Sequence, residues 1–370
     1  MIATDDLLSP PAAPAPNERT RSLFRRSARA GQVHPLQRLV SLYRQDEPDS
    51  LFATLSADPP PRNPIPAAGD SPWRICPEGL ARRVSQLPVL PQAVLQALAL
   101  LRSDTASDGD CAERIAVDAA MAARTLRLAN SAFYGVSGRV ATIRDAVLLL
   151  GRRTLGALLA TAAVADSLAR SPMNNRAGDA TDADEAARQM GRFWRHALAS
   201  ALAAQALASR RPPDQDVAFT TGLLHDIGQL VLCAHHGPAM AAVRAAAAAE
   251  DADTLAHERA LLGLDHAQVG AMVARHWRFP AEVVTAIGAH HASVTDGPPD
   301  GPATLADLVH VADAIAHALD LEDDADEAVP LIDGACWRRV GLGADEALTL
   351  LRDVENGVRM LSRSLLGQTP

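Results

Sequence analysis

The sequence predicts an all-α fold, a multi-helix bundle preceded by a disordered, proline-rich N-terminal tail. Three observations carry this. Hydrophobic residues make up 48% of the chain while aromatics make up only 3%, and the alanine and leucine that supply the difference pack helices closely. From about residue 79 onward the apolar residues recur at helical spacing, and no stretch alternates β-branched residues as a strand would. Thirteen of the 25 prolines fall in the first 77 residues. Apolar residues there have little periodicity and cannot bury enough surface to offset the entropy of ordering.

Two islands interrupt the tail. Arg19–Arg29 sets five arginines around Leu23-Phe24 and is expected to be solvated, whereas Leu36–Tyr43 is expected to form a short helix. Leu87-Pro88-Val89-Leu90-Pro91 then leads into a helix through Leu101, with proline suited to a first turn. Ser107–Val117 reads as the next helix, and Asp118 is suited to cap Ala119–Asn130. Asn130-Ser131-Ala132-Phe133-Tyr134-Gly135 breaks the pattern, and its Phe133 and Tyr134 are expected in the core. Thr142-Ile143-Arg144-Asp145 starts a helix that ends at Gly151, and another follows to about Ala169. Residues 171–187 are polar and predict a loop.

From Gln189 the stripe Met190, Phe193, Trp194, Ala197, Leu198 and Ala201 marks a buried helix face, with His196 at its edge. Gly222–Leu232 reads as one helix whose buried face is Leu223, Leu224, Ile227, Leu230 and Val231, interrupted only chemically by His225-Asp226. Further helices are expected at about Pro238–Ala249 and Leu255–Leu262, then after an Asp265 cap, from Pro280 to His291, over Thr304–Leu319 and over Asp345–Leu365. His235, His236 and His257 are expected on solvated faces.

All 35 basic residues are arginine, which removes lysine from every catalytic scheme. The net charge of −9 argues against general nucleic-acid binding. Cys76, Cys111, Cys233 and Cys336 form no CxxC pattern and read as reduced thiols of a cytoplasmic protein. The longest apolar run, Leu155–Ala165, is short of the roughly 20 residues a membrane span needs, so no membrane insertion is expected.

His196, His225, Asp226, His266, His290, His291 and Asp313 each fall near an apolar face, on separate helices except where they are neighbours in sequence. Converging helices can gather such side chains at one point. Imidazole and carboxylate donors suit Fe, Mn, Zn or Ni, and the set is large enough for two ions with a carboxylate between them. The other way to satisfy buried groups of this kind is a dense His–carboxylate hydrogen-bond network. No organic cofactor is expected.

The order of these residues resembles the H…HD…D pattern of the HD superfamily of metal-dependent phosphohydrolases, through Trp194-Arg195-His196, Leu224-His225-Asp226-Ile227-Gly228 and Val311-Ala312-Asp313. The Asp265-His266 and His290-His291 pairs also look like the HD-GYP branch, which hydrolyses cyclic di-GMP. The chain departs from that branch at Gln229, where it has lysine, and at Ala292-Ser293-Val294, where it has Gly-Tyr-Pro. The closer resemblance is to the HDOD family, the HD-related output domain of bacterial signalling. It rests on Leu87-Pro88-Val89-Leu90-Pro91, the Leu128–Gly135 block, Gly222–Gly228, and Asp265-His266 through Trp277-Arg278-Phe279-Pro280.

That resemblance implies an HD-like bundle with a domain at 78–292. Its parts are an N-terminal helical lobe over 78–170, the loop at 171–187 and an HD-like lobe from 188. Residues 293–370 would supply helices that complete the bundle. It also implies a non-catalytic regulatory output module whose partners are other signalling proteins. The retained HD residues keep a second reading open, a phosphohydrolase acting on a nucleotide or cyclic dinucleotide. In that reading His196, His225, Asp226 and Asp313 hold one metal, and Asp226 bridges to a second held by His266, His290 and His291.

Overall fold

The computed structural model describes residues 18–29, 34–44, 71–85, 105–130, 140–152, 180–209, 214–250, 254–291, 301–321 and 328–366, together with a few positions at 96–103 and 155–159. All the secondary structure among them is helical. The Leu87–Pro91 motif and the Ser131–Gly135 part of the aromatic block, Phe133 and Tyr134 included, lie outside the described residues.

The first group of helices in chain order is α1 (Glu18–Leu23), α2 (Arg25–Arg29), α3 (Pro35–Arg44), α4 (Pro77–Ser85), α5 (Asp108–Ala116), α6 (Ala119–Ala129) and α7 (Ile143–Leu150). Its starts are those legible in the sequence. Ser107 caps α5 through a reciprocal bond with Asp110, Asp118 accepts the Met121 N–H, and Thr142 caps α7. The Asn130 side chain bonds both backbone groups of Val140, at 2.7 and 2.8 Å, and so ties the residue after α6 to the segment that leads into α7.

Next come α8 (Ala180–Ala208), α9 (Gln215–Leu224), α10 (Ile227–Glu250), α11 (Thr254–Leu262), α12 (His266–His276), α13 (Ala281–Ala289) and α14 (Leu305–Leu319). Helix α8 packs on α9 and α14, α10 on α12, and α13 on both α12 and α14. The chain closes with α15 (Gly334–Val340) and α16 (Ala344–Leu366), which lies against α8 and also reaches α6 and α3. Two sequence expectations are corrected here. The loop at 171–187 gives way to helix at Ala180, where an alanine-rich run with acidic residues suits a helix start. The helix expected through Gly222–Leu232 is two helices, and His225 and Asp226 form the turn between them.

The tail islands also differ from the solvated state expected of Arg19–Arg29. Leu23, Phe24, Leu36 and Val40 are each at most 1% exposed. The expected helix at Leu36–Tyr43 is present as α3. Both islands pack on the C-terminal part of the chain: Arg19 holds Asp320 through two bonds of 2.6 and 2.7 Å, Arg44 donates to the Leu319 carbonyl, and Val329 N–H donates to the Leu23 carbonyl. Tyr43 bonds Glu355. Arg19 looks solvated in sequence because its partner lies 301 residues away.

His34 fixes this segment in a pH-dependent way. Its Nε2–H donates to the Pro330 carbonyl at 2.9 Å, and its Nδ1 accepts the Leu36 N–H at 3.2 Å, so neither nitrogen has room for a second proton. Burial, helped by nearby His310, pushes its pKa down to about 4. A detached segment would protonate near 6.5, so docking holds above that value and weakens as pH falls towards 4. The full loss is about 3 kcal/mol. Limited proteolysis will therefore leave the 18–44 segment bound at pH 7.5 and release it near pH 4.5, and His34→Gln will blunt that difference.

One apolar stretch, Gln215–Ala249, is long enough by composition to cross a membrane, but 72% of its most apolar window is buried within the fold. It is α9 followed by α10, with a kink at His236 ahead of Pro238. His235 and His236 are half-buried at that kink and His257 is fully buried, so none of the three lies on the open face expected.

A histidine–aspartate cluster as candidate metal centre

The seven residues named from the sequence converge. His196 comes from α8, His225 and Asp226 from the turn between α9 and α10, and His266 opens α12. His290 and His291 follow α13, and Asp313 lies within α14. Two glycines let the backbones approach closely enough for this. A Cβ on Gly222 would sit 2.7 Å from the Ser200 carbonyl oxygen of α8, and one on Gly228 would sit 1.9 Å from that of His266. The His225-Asp226 turn is thus wedged between the helix that carries His196 and the helix that begins with His266.

Asp226 divides its carboxylate between two groups of histidines. Its Oδ2 faces His225 and His196 at 3.6 and 3.7 Å, while its Oδ1 faces His266 and His290 at 3.2 and 3.5 Å. Asp313 Oδ1 lies 3.0 Å from His196 Nε2 and 3.4 Å from His225 Nε2. His196 and His225 meet Nε2 to Nε2 at 3.2 Å, and His266 and His291 do so at 2.9 Å.

The outer ring nitrogens explain why these lone pairs point inward. His225 Nδ1–H donates to the Gly222 carbonyl at 2.7 Å, and His290 Nδ1–H to the Ile287 carbonyl at 2.6 Å. His266 Nδ1–H donates to Glu258 Oε2 at 2.7 Å, and the same oxygen accepts the His266 backbone N–H at 2.8 Å. A carbonyl or carboxylate only accepts, so each Nδ1 carries a proton, and in the neutral ring each Nε2 faces the cluster with a lone pair. Metal-ligating histidines are oriented in the same way.

Electrostatics agrees with a site built for positive charge. Burial raises the Asp226 carboxyl, but the charges of His225 and His266 outweigh it and hold it well below the usual range. Asp313 is likewise held well below by His317, His196 and His225, against burial. Burial lowers His225 and His266, yet Asp226 and Asp313 hold the first above its ordinary value, and Glu258 and Asp226 hold the second well above. His290 is lowered by burial, and His291 is lowered further by burial and by its neighbours His290 and His266.

The donors fit a divalent ion. Asp226 Oδ1, His290 Nε2 and Asp313 Oδ2 are buried with no hydrogen-bond partner among the described residues, a costly arrangement that a cation relieves. Asp226, His266, His290 and His291 offer one donor group, and His196, His225 and Asp226 offer a second, each with all its donor atoms within 4.8 Å of one another.

Three residues of the site were missed in the sequence. Glu258, fully buried on α11, orients His266, and nothing in its local spacing sets it apart from the apolar residues around it. His310 donates from Nδ1 to the His290 carbonyl at 2.6 Å and holds that turn. His317 lies 3.4 Å from Asp313 Oδ1, and its place four residues beyond Asp313 on one helix was a readable signal.

Comparison with known proteins agrees with this architecture. The family model of the HDOD domain matches residues 87–293. A protein of Shewanella amazonensis SB2B, provisionally named as a phosphohydrolase, is 26% identical and superposes with a TM-score of 0.58 over 77% of this chain and 97% of its own. An HDOD domain protein of unknown function from Geobacter sulfurreducens is 21% identical, with a TM-score of 0.56 over 77% of this chain and 96% of that one. An uncharacterized protein of Treponema pallidum (strain Nichols) is 24% identical over 214 residues, 57% of this chain but only 39% of that relative's length. With the fold, the Gly222–Gly228 turn and the His266 and His290 positions all in place, the chain belongs to the HDOD domain family.

Proposed function

We propose that this chain is a signal-transduction output module whose histidine–aspartate cluster holds divalent metal ions and whose partners are other signalling proteins. The observation that supports this best is the division of the Asp226 oxygens between two groups of inward-facing histidines. In this reading His196, His225 and Asp313 bind on one side of Asp226, and His266, His290 and His291 bind on the other. Glu258 keeps His266 in the ligating tautomer.

A second reading, hydrolysis of a phosphodiester in a nucleotide or cyclic dinucleotide, is favoured by the complete donor set and by the 26% identity to a protein provisionally named as a phosphohydrolase. Bound ions would supply Lewis-acid charge to phosphoryl oxygens and to an attacking water. The chain's own contribution would be to orient the donors and bury them. Any further neutralisation of phosphate would fall to arginine, since the chain contains no lysine.

The two readings part on one experiment. The metal-loaded and chelator-stripped full chain is assayed with bis(p-nitrophenyl) phosphate and with cyclic di-GMP. Metal retention without turnover is expected. Metal-dependent turnover that Asp226→Asn abolishes would transfer the conclusion to the hydrolase, and no metal at all would remove both.

A further inference from the structure

We propose that His317, together with His196 and Asp313, forms a cation position at the solvent edge of the cluster, one that takes a borderline divalent ion such as Zn2+, Fe2+, Mn2+ or Ni2+. This rests on the reading of the cluster as a metal centre and adds to it a ligand outside the H…HD…D pattern.

The geometry is that of a shared ion. Asp313 Oδ1 lies 3.0 Å from His196 Nε2 and 3.4 Å from His317 Nε2, and the three donors all lie within 4.8 Å of one another. Donors bonded at about 2.1 Å to one tetrahedral or octahedral ion stand roughly 3.0–3.4 Å apart. The His196 and His317 rings stand 4.5 Å apart between centroids and are tilted, not stacked.

Position and chemistry separate this place from the inner one. The His196 and His317 side chains are 16% and 26% exposed, against 4% and 0% for His266 and His290. His317 thereby joins His196, His225 and Asp313 as a further donor to the outer ion, and the partly open edge leaves room for solvent or an incoming oxygen ligand, as open zinc sites do. Imidazole and carboxylate together select borderline transition ions over calcium or magnesium.

The last turn of α14 is held in register for this role. Asp320 ends the helix in the left-handed region, with φ of 50°. Arg19 grips its carboxylate, and Arg44 donates to the Leu319 carbonyl at 2.5 Å. The docked N-terminal segment therefore fixes the turn that presents His317.

The test uses the full chain without a tag. Zn2+ and Mn2+ titrations by calorimetry compare the native chain, His317→Ala and His266→Ala. The expected result is an affinity drop of at least about 10-fold in His317→Ala for one class of ion, with the class lost in His266→Ala intact. Anomalous diffraction from the native, Zn2+-loaded chain supplies a readout independent of any variant's folding, with a peak expected at bonding distance from His317 Nε2. If the native chain binds ions while His317→Ala matches it, or if anomalous peaks lie only among Asp226, His266, His290 and His291, the His317 position is refuted and the inner centre stands. If the native chain binds no divalent ion, the metal reading itself falls, and this proposal with it.

Discussion

Gly228→Ala will destabilise the protein by about 3 kcal/mol or more and disperse the cluster. The added Cβ would meet the His266 carbonyl oxygen at 1.9 Å and the Gly270 nitrogen at 2.5 Å. Both are backbone atoms of α12, so no side chain can rotate away and the helices must separate. Overpacking a close-packed interior costs about 1–3 kcal/mol, and more where relief requires backbone movement. Because α10 and α12 present Asp226 and His266 to one another, the shift also breaks their 3.2 Å approach. Gly237→Ala is the matched control, since its Cβ would meet nothing within 4 Å. Urea melts should show the large loss in the first variant and little change in the second. Equal midpoints would mean that the α10–α12 crossing has slack that the close backbone approach denies.

Asp226→Ala should weaken metal binding on both sides of the cluster by more than about 100-fold, whereas His290→Ala should affect one side only. Asp226 is the residue whose two oxygens face both histidine groups, and losing a direct ligand costs more than the 10–100-fold typical of an outer-shell partner. Binding must also displace protons from His225 and His266, which neighbouring carboxylates hold above their ordinary value of 6.5. Apparent affinity therefore rises as pH increases through 6.5 and beyond. Calorimetry at pH 6 and pH 8 reads both effects. An Asp226→Ala chain that still binds with native stoichiometry would show that the carboxylate does not bridge.

The helices and the seven residues that converge were legible because their signals are local. Capping residues such as Ser107, Thr142, Asp265 and Thr304 mark helix starts within three residues of their partners. Imidazoles beside apolar stripes stand out for the cost of burying them. The break at His225-Asp226 was hidden because Leu223, Leu224, Ile227, Leu230 and Val231 keep helical spacing across it, while the close approach of Gly222 and Gly228 to other helices is a tertiary fact. Glu258 and the docking of Leu23 and Phe24 were hidden for a related reason. Their partners lie on distant segments, and a few apolar residues among arginines and prolines predict nothing until a surface is present to receive them. His317 alone was within reach, one helical turn beyond Asp313.

On the proposed reading this cluster is a metal centre and not a self-contained hydrogen-bond network. Elemental analysis of the full chain, purified without a histidine tag or chelator, tests it most directly. At least one equivalent of a transition metal per chain is expected in the native protein and almost none in Asp226→Ala. Substoichiometric metal, unchanged by Asp226→Ala or His225→Ala, would contradict it.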